Sequence, residues 1–202
     1  MRWFMWCAVL LGLSGVSGES LAHVLKTGEL RVTPSLSAYK TRTAHRDLEG
    51  DPSYGGSLTV DGDVDSNGNV EVSLVYLDKL YALKSGESVL AERIPRMHVT
   101  FGYRHWFAPW VSTGLAFYSA YSMGEAKVIR RDNTEDLKFK TTAREIAEYG
   151  FDVSLQWEPW SNDTVAALVD ARYSLSTSHK AREDADLYRL SLGVKYLIPK
   201  RS

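Results

Sequence analysis

From Ala147 towards the C-terminus the chain alternates apolar and polar side chains with a period of two, and few architectures accommodate that pattern. In Ala147–Trp157 one face carries Ala147, Tyr149, Phe151, Val153, Leu155 and Trp157. The other carries Glu148, Gly150, Asp152, Ser154 and Gln156. Val165–Leu175 and Tyr188–Ile198 repeat the alternation, and Met97–Phe107 does so with His105 as its flaw. Val111–Tyr121 is weaker, as are Leu30–Thr43, Tyr54–Val64 and Val70–Tyr81. Successive side chains of a strand point to opposite faces, whereas an amphipathic helix repeats at i, i+3 and i+4.

The pattern predicts eight strands, at about 30–44, 54–64, 69–82, 95–107, 110–127, 143–158, 163–178 and 185–198, with no helix after residue 28. Their connections alternate in length. Asp65-Ser66-Asn67-Gly68, Ala108-Pro109 and Pro159-Trp160-Ser161-Asn162 are tight, and Asn-Gly is a strong hairpin signal. Arg46–Ser53, Lys84–Pro95, Lys127–Ala143 and Ser178–Ala185 are longer and charged. Sequential antiparallel strands of this kind form an up-and-down sheet, and eight of them close into a barrel.

Bulk composition argues differently. A hydrophobic fraction of 44% and a net charge of −1 are those of a water-soluble protein. With 24 basic against 25 acidic residues, nothing favours nucleic-acid binding. The orientation of the apolar face is therefore the deciding question. Apolar-in gives a soluble lipocalin-like ligand carrier; apolar-out gives a transmembrane barrel. Three features favour apolar-out. The polar faces are rich in small residues, such as Gly102, Gly114, Gly150, Ser154 and Gly193, which suit a narrow lumen. The alternating runs are about 11 residues, enough for a tilted strand to cross a bilayer. Aromatics cluster at the tight-turn ends, where Trp106, Phe107, Trp110, Trp157, Trp160 and Tyr196 read as a membrane-interface belt.

Residues 1–22 read as a secretory signal peptide, with Arg2, an apolar Trp3–Leu13 core and small residues beyond. Cleavage after Gly18 or after Ala22 both fit. The only cysteine, Cys7, lies within this leader, so the mature chain, one barrel domain over 23–202, has no thiol chemistry.

The chain resembles the small eight-stranded bacterial outer-membrane β-barrels of the OmpA-domain, OmpX and OmpW type. The resemblance covers about residues 28–198, mostly as a pattern. Its sharpest motif is Ser191-Leu192-Gly193-Val194-Lys195-Tyr196-Leu197-Ile198, similar to the assembly signal of a last strand through Ser191, Gly193, Tyr196 and Ile198. It departs from the common form by continuing as Pro199-Lys200-Arg201-Ser202 instead of ending on an aromatic. The resemblance implies an exported monomer in the outer membrane of a Gram-negative bacterium, inserted by the barrel assembly machinery. It also implies contact with outer-membrane lipid and lipopolysaccharide, a plugged polar lumen and no cofactor.

Charges on the lumen face, Arg104, Glu148, Asp152, Asp170, Arg172, Arg189 and Lys195, with Glu158 and Glu71 as further candidates, are expected to pair by sign where little water reaches them, and Asp152, Asp170 and Arg172 fall at similar depth on neighbouring strands. Asp63-Val64-Asp65-Ser66-Asn67-Gly68-Asn69-Val70-Glu71 matches the start of a calcium loop through Asp63, Asp65, Asn67 and Glu71. It has Leu74 where the bidentate Glu belongs. A lipid-modifying enzyme, as some barrels of this kind are, needs a histidine with serine and an acid at the rim. Only His179, near Ser176, Ser178, Glu183 and Asp184, is placed for that, and it reads as loop polarity. The expected function is non-enzymatic: envelope integrity or surface interaction through the longer loops. A narrow pore, a lipid A deacylase-like enzyme and a soluble carrier are the alternatives.

Overall fold

The structure, a computed structural model, describes residues 29–43, 51–132, 143, 145–178 and 185–198. The leader expected at 1–22 and the tail 199–202 lie outside these residues. Among the described residues nine strands are formed: β1 (Leu30–Thr43), β2 (Ser53–Asp63), β3 (Gly68–Ser85), β4 (Ser88–Ala108), β5 (Val111–Ser122), β6 (Lys127–Asp132), β7 (Glu148–Ser161), β8 (Val165–Ser176) and β9 (Ala185–Ile198). Eight of them make a closed antiparallel wall in the order β3-β2-β1-β9-β8-β7-β5-β4, with β4 pairing back onto β3. Closure leaves the wall without a free edge.

The eight wall strands match the expectation from alternation, with two corrections. Lys84–Pro95 is not a loop. β3 and β4 run on above the wall as a hairpin that turns at Gly86-Glu87, where Gly86 takes φ 61°, a left-handed conformation that glycine adopts without strain. The segment expected to extend the fifth strand to residue 127 ends at Ser122, and β6 then pairs with the upper part of β4, Val89 opposite Asp132. The outcome is a three-stranded sheet standing above one side of the barrel.

Alternation sets which way each side chain points. Leu36, Phe101, Leu115 and Leu192 are all at least 60% exposed on the outside, while Arg104, Asp152 and Arg172 are buried within. A soluble carrier needs the reverse arrangement and is not supported. The outer surface carries two aromatic levels. At the short-turn end stand Phe107, Trp110, Trp157, Trp160 and Tyr196, outside the wall as expected. Toward the opposite end lies a second level that sequence reasoning missed, with Tyr54, Tyr76, Tyr121, Tyr149, Tyr173 and Tyr188. From Met97 to Phe107 on β4 is ten residues. At ~3.4 Å per residue and a tilt of roughly 40°, that step spans about 26 Å, the height of a barrel's lipid-facing band.

Trp106 is the exception, and corrects the expected belt. It shares the parity of Arg104 and is buried in the lumen, only 4% exposed. Its apolar bulk suggests a membrane-facing residue, but the pleat decides its direction.

Candidate functional site in the barrel lumen

Three groups of side chains fill the lumen from the short-turn end upward. The lowest is a continuous chain of polar contacts. Arg31 of β1 donates to Asp61 at 3.1 Å and to both oxygens of Asp63, on neighbouring β2. Asn69 donates to Asp61 at 2.8 Å and accepts from the Trp106 indole at 3.2 Å. The Lys195 ammonium lies 4.9 Å from the Trp106 ring centroid and pairs with Glu158, which also accepts from Gln156 at 2.8 Å. Trp106 thereby links the Arg31 and Lys195 ion pairs, its N–H toward Asn69 and its π-face toward Lys195.

The middle group is a cluster of two arginines and three carboxylates. Arg104 donates to Glu71 at 2.9 Å, to Asp170 at 3.2 Å and to Ser154 at 3.0 Å. Arg172 donates to the other Glu71 oxygen at 2.9 Å, to Asp170 at 3.3 Å and to Asp152 at 3.4 Å. The fork geometry of guanidinium lets each arginine satisfy several carboxylate oxygens at once. Arg189 of β9 lies directly opposite Arg172 and is buried, and its Nε has no hydrogen-bond partner among the described residues. It borders a cavity of about 20 Å³, room for roughly one water.

Above these, the lumen is divided. On one side Tyr39, Val75, Leu77 and Leu187 form an apolar cluster, a correction to the expectation of a wholly polar interior. On the other, Glu148 accepts from Lys79 at 2.5 Å, from Tyr118 at 2.6 Å and from Tyr81 at 2.5 Å. His98 stacks on Tyr118 with centroids 5.1 Å apart. Arg96 donates to the carbonyls of Ala120, Ile146 and Ala143 and lies 5.2 Å from the Tyr81 ring, tying the rim above β5 and β7 to the hairpin.

The lumen charges expected from sequence therefore occupy separate sites. Arg104, Asp152, Asp170 and Arg172 meet in the middle, Lys195 belongs to the lowest group and Glu148 to the uppermost. Arg31, Asp61, Asp63 and Lys79 lie outside that set, and Glu158 stands at its margin. Their parity on β1, β2, β3 and β7 was the available signal. Across the buried charges, seven cations face eight carboxylates, so the interior is close to neutral. Breaking such a pair leaves an uncompensated buried charge, a cost of about 3–5 kcal/mol.

The calcium reading is corrected by the same geometry. Asp63 and Glu71 face inward and are held by Arg31 and by Arg104 with Arg172, whereas Asp65 sits on the exposed turn. There it accepts from the backbone N–H of Asn67 at 2.8 Å and from the Tyr103 hydroxyl at 3.1 Å. The Asn67 N–H is the main cause that holds the Asp65 carboxyl below the usual carboxylate range. Among the described residues no three His, Cys, Asp or Glu side chains converge on one point.

In the expected assembly motif, Ser191 points inward and Tyr196 and Ile198 outward. Gly193 lies where β9 meets β1, and a Cβ there would come within 2.9 Å of Ser35 Cβ and 3.1 Å of the Pro34 carbonyl. His179 lies outside the described residues, while the Ser178 hydroxyl is engaged with the backbone of Tyr149.

No protein-family model and no curated protein matches the sequence. Solved structures do. The outer membrane protein OprG from Pseudomonas aeruginosa superposes with a TM-score of 0.50 at 9% identity, over 88% of this chain and 99% of that one. Ail of Yersinia pestis, in complex with the heparin analogue sucrose octasulfate, gives 0.47 at 15% identity over 86% and 100%. Neisserial surface protein A gives 0.41 at 10% identity over 83% and 96%. At these identities the likeness concerns the fold, that of small outer-membrane β-barrels.

Proposed function

We propose that this chain, folded as a small outer-membrane β-barrel, is a non-enzymatic surface protein with a closed lumen. It serves envelope integrity or surface interaction through the sheet above its wall. In this reading residues 1–22 direct export and are removed, the assembly machinery of a Gram-negative outer membrane inserts the barrel through its last strand, and a monomer remains. The short turns then face the periplasm and the β3–β4 hairpin faces outward. The observation that carries the reading is the cross-linked interior. Ion pairs, the Trp106 bridge and the Tyr39–Leu187 apolar cluster fill the lumen where a pore would need a continuous aqueous path. Met123, Val128, Ile129 and Ile146 are exposed on or beside the sheet beyond the tyrosine level, as a surface made for contact would leave them.

The test is made in the native host. A strain lacking the gene is complemented either with the whole barrel or with one whose Ala82–Ala91 hairpin is cut to a tight turn, which spares the lumen residues Lys79 and Tyr81. Restored detergent resistance with both versions assigns the role to the barrel body. Restoration of surface adherence by the whole version alone assigns it to the sheet. If neither property depends on the protein, the reading fails. Orientation is read separately, by a membrane-impermeant maleimide that labels Glu87→Cys on intact cells and Asn67→Cys only after lysis.

A further inference from the structure

The ladders that close the wall are not equivalent. Most run unbroken through the lipid-facing band, and register shifts occur only at short turns, between Trp106 and Ala108 and between Trp157 and Trp160. The ladder that joins β1 to β9 is interrupted within the band. Val32 pairs with Tyr196 and Ser35 with Gly193, while Thr33 and Pro34 between them have no ladder partner on β9. The register is the same on both sides of the gap and sets Pro34 opposite Val194.

Backbone direction explains the gap. Glu29 accepts from Asp63 of β2, and Leu197 donates to Thr164 at the start of β8. Odd residues of β1 and β9 therefore point away from their common seam and even ones point into it. Pro34 stands where an N–H would meet the Val194 carbonyl and has none to give. No water in the hydrocarbon replaces a missing ladder donor. Of the other prolines in the described strands, Pro95 lies above the wall and Pro159 beside a short turn.

Side chains do not make up for the loss. Below Tyr39 the described residues place one side-chain hydrogen bond across this seam, between the Ser37 and Ser191 hydroxyls at 2.9 Å. Ser35 turns to Ser57 of β2, and Lys195 to Glu158 of β7. The Thr33 hydroxyl is buried without a partner. Neighbouring strands elsewhere are clamped by ion pairs, Arg31 with Asp61 across β1 and β2 and Arg104 with Glu71 across β4 and β3. Directly behind the gap lies the cavity of about 20 Å³ bordered by Thr33, Ser35, Arg189 and Ser191.

We propose that the barrel opens sideways at this seam: β1 and β9 part locally around Pro34 and Val194 and re-close, uncovering the polar cavity behind them. Water has a short way to come, because four strand residues separate Pro34 from Leu30 at the short-turn end, about 10 Å along the membrane normal. The groups that fill the lumen above and below stay in place, so the opening is a side entrance and not a channel along the axis. The inference rests on the wall alone and holds whether or not the upper sheet binds a partner.

The test is residue-resolved amide hydrogen exchange, read by NMR on the folded barrel in lipid nanodiscs. Val194 should exchange roughly tenfold faster than Leu192 and Tyr196 on the same ladder, and than Phe117 and Val169 in unbroken ones. Pro34→Val supplies the missing donor and should bring Val194 to their rate. Ser37 and Ser191 are directly opposite in a non-hydrogen-bonded pair, a spacing that a disulfide spans. In the Ser37→Cys, Ser191→Cys double variant, Val194 should slow when the pair is oxidised and recover on reduction. Three results overturn the proposal. One is equal exchange at Val194 and its neighbours. Another is a rate that falls steadily inward from Leu30 and Ile198, which is fraying of strand ends. The third is a fast Val194 that the closed disulfide leaves fast. If Pro34→Val changes the gel mobility of the folded form, the disulfide arm decides alone.

Discussion

Both oxygens of Glu71 accept a guanidinium hydrogen bond, one from Arg104 and one from Arg172, and the side chain is almost fully buried. Asp152 reaches only Arg172, at 3.4 Å, and its second oxygen has no partner. Two residues of the same charge in the same lumen thus carry different weights. Glu71→Leu removes two ion pairs at once and leaves Arg104 and Arg172 to share Asp170, which should cost about 3–5 kcal/mol. Asp152→Leu removes one long hydrogen bond to a cation that keeps two other carboxylates, and should cost about 1–2 kcal/mol. The two are compared by urea unfolding of the barrel refolded in lipid vesicles, with equal m-values required. A larger loss for Asp152→Leu, or an unchanged midpoint for Glu71→Leu, would refute the assignment of Glu71 as the hub.

At the scale of elements, Gly193 separates two explanations for one motif. As part of an assembly signal it matters only when the machinery is present. As a residue against which Ser35 and Pro34 pack, it matters in closing β9 onto β1 wherever that happens. Gly193→Val should therefore lower the folded fraction several-fold in pure lipid vesicles, read by heat-modifiable gel migration; normal folding there would leave only the signal. The elements also show what was legible in the sequence and why. β7, β8 and β9 bury one face against the lumen and turn the other to lipid, so the alternation records them almost residue for residue. The hairpin of β3 and β4 was read as a loop because packing covers both of its faces. Leu80, Tyr81 and Ala82 are consecutive buried residues, as are Val89, Leu90, Ala91 and Glu92, and a strand covered on both sides has no period-2 signature. The lumen network is legible as a set of charges, with Asp152, Asp170 and Arg172 at similar depth on neighbouring strands, but its long-range pairs are not. Arg172 meets Glu71 and Lys79 meets Glu148 only through the register of the closed sheet, which fixes neighbours far apart in the chain.

For the whole molecule, the question is whether the filled interior can be opened. The three groups obstruct the lumen by different physics: hydrogen-bonded charge below and in the middle, and above them an apolar cluster beside the Glu148 site. Ions cross neither a dehydrated apolar constriction nor a set of satisfied ion pairs without large cost. Obstructions in series are also independent, so removing one does not create a path. Wild-type protein reconstituted in planar bilayers should give no conductance steps. Arg104→Ala with Glu71→Ala, which removes two of the five members of the middle group, should remain silent because Arg172 with its acids, the Trp106–Lys195–Glu158 chain and the Tyr39–Leu187 cluster are intact. Steps should appear only when all five members of the middle group are replaced by alanine together with Trp106→Ala and Leu77→Ser, and only in preparations whose gel mobility shows a folded barrel. Conductance in the wild type would mean that the interior rearranges in the membrane, and would put the narrow-pore alternative first.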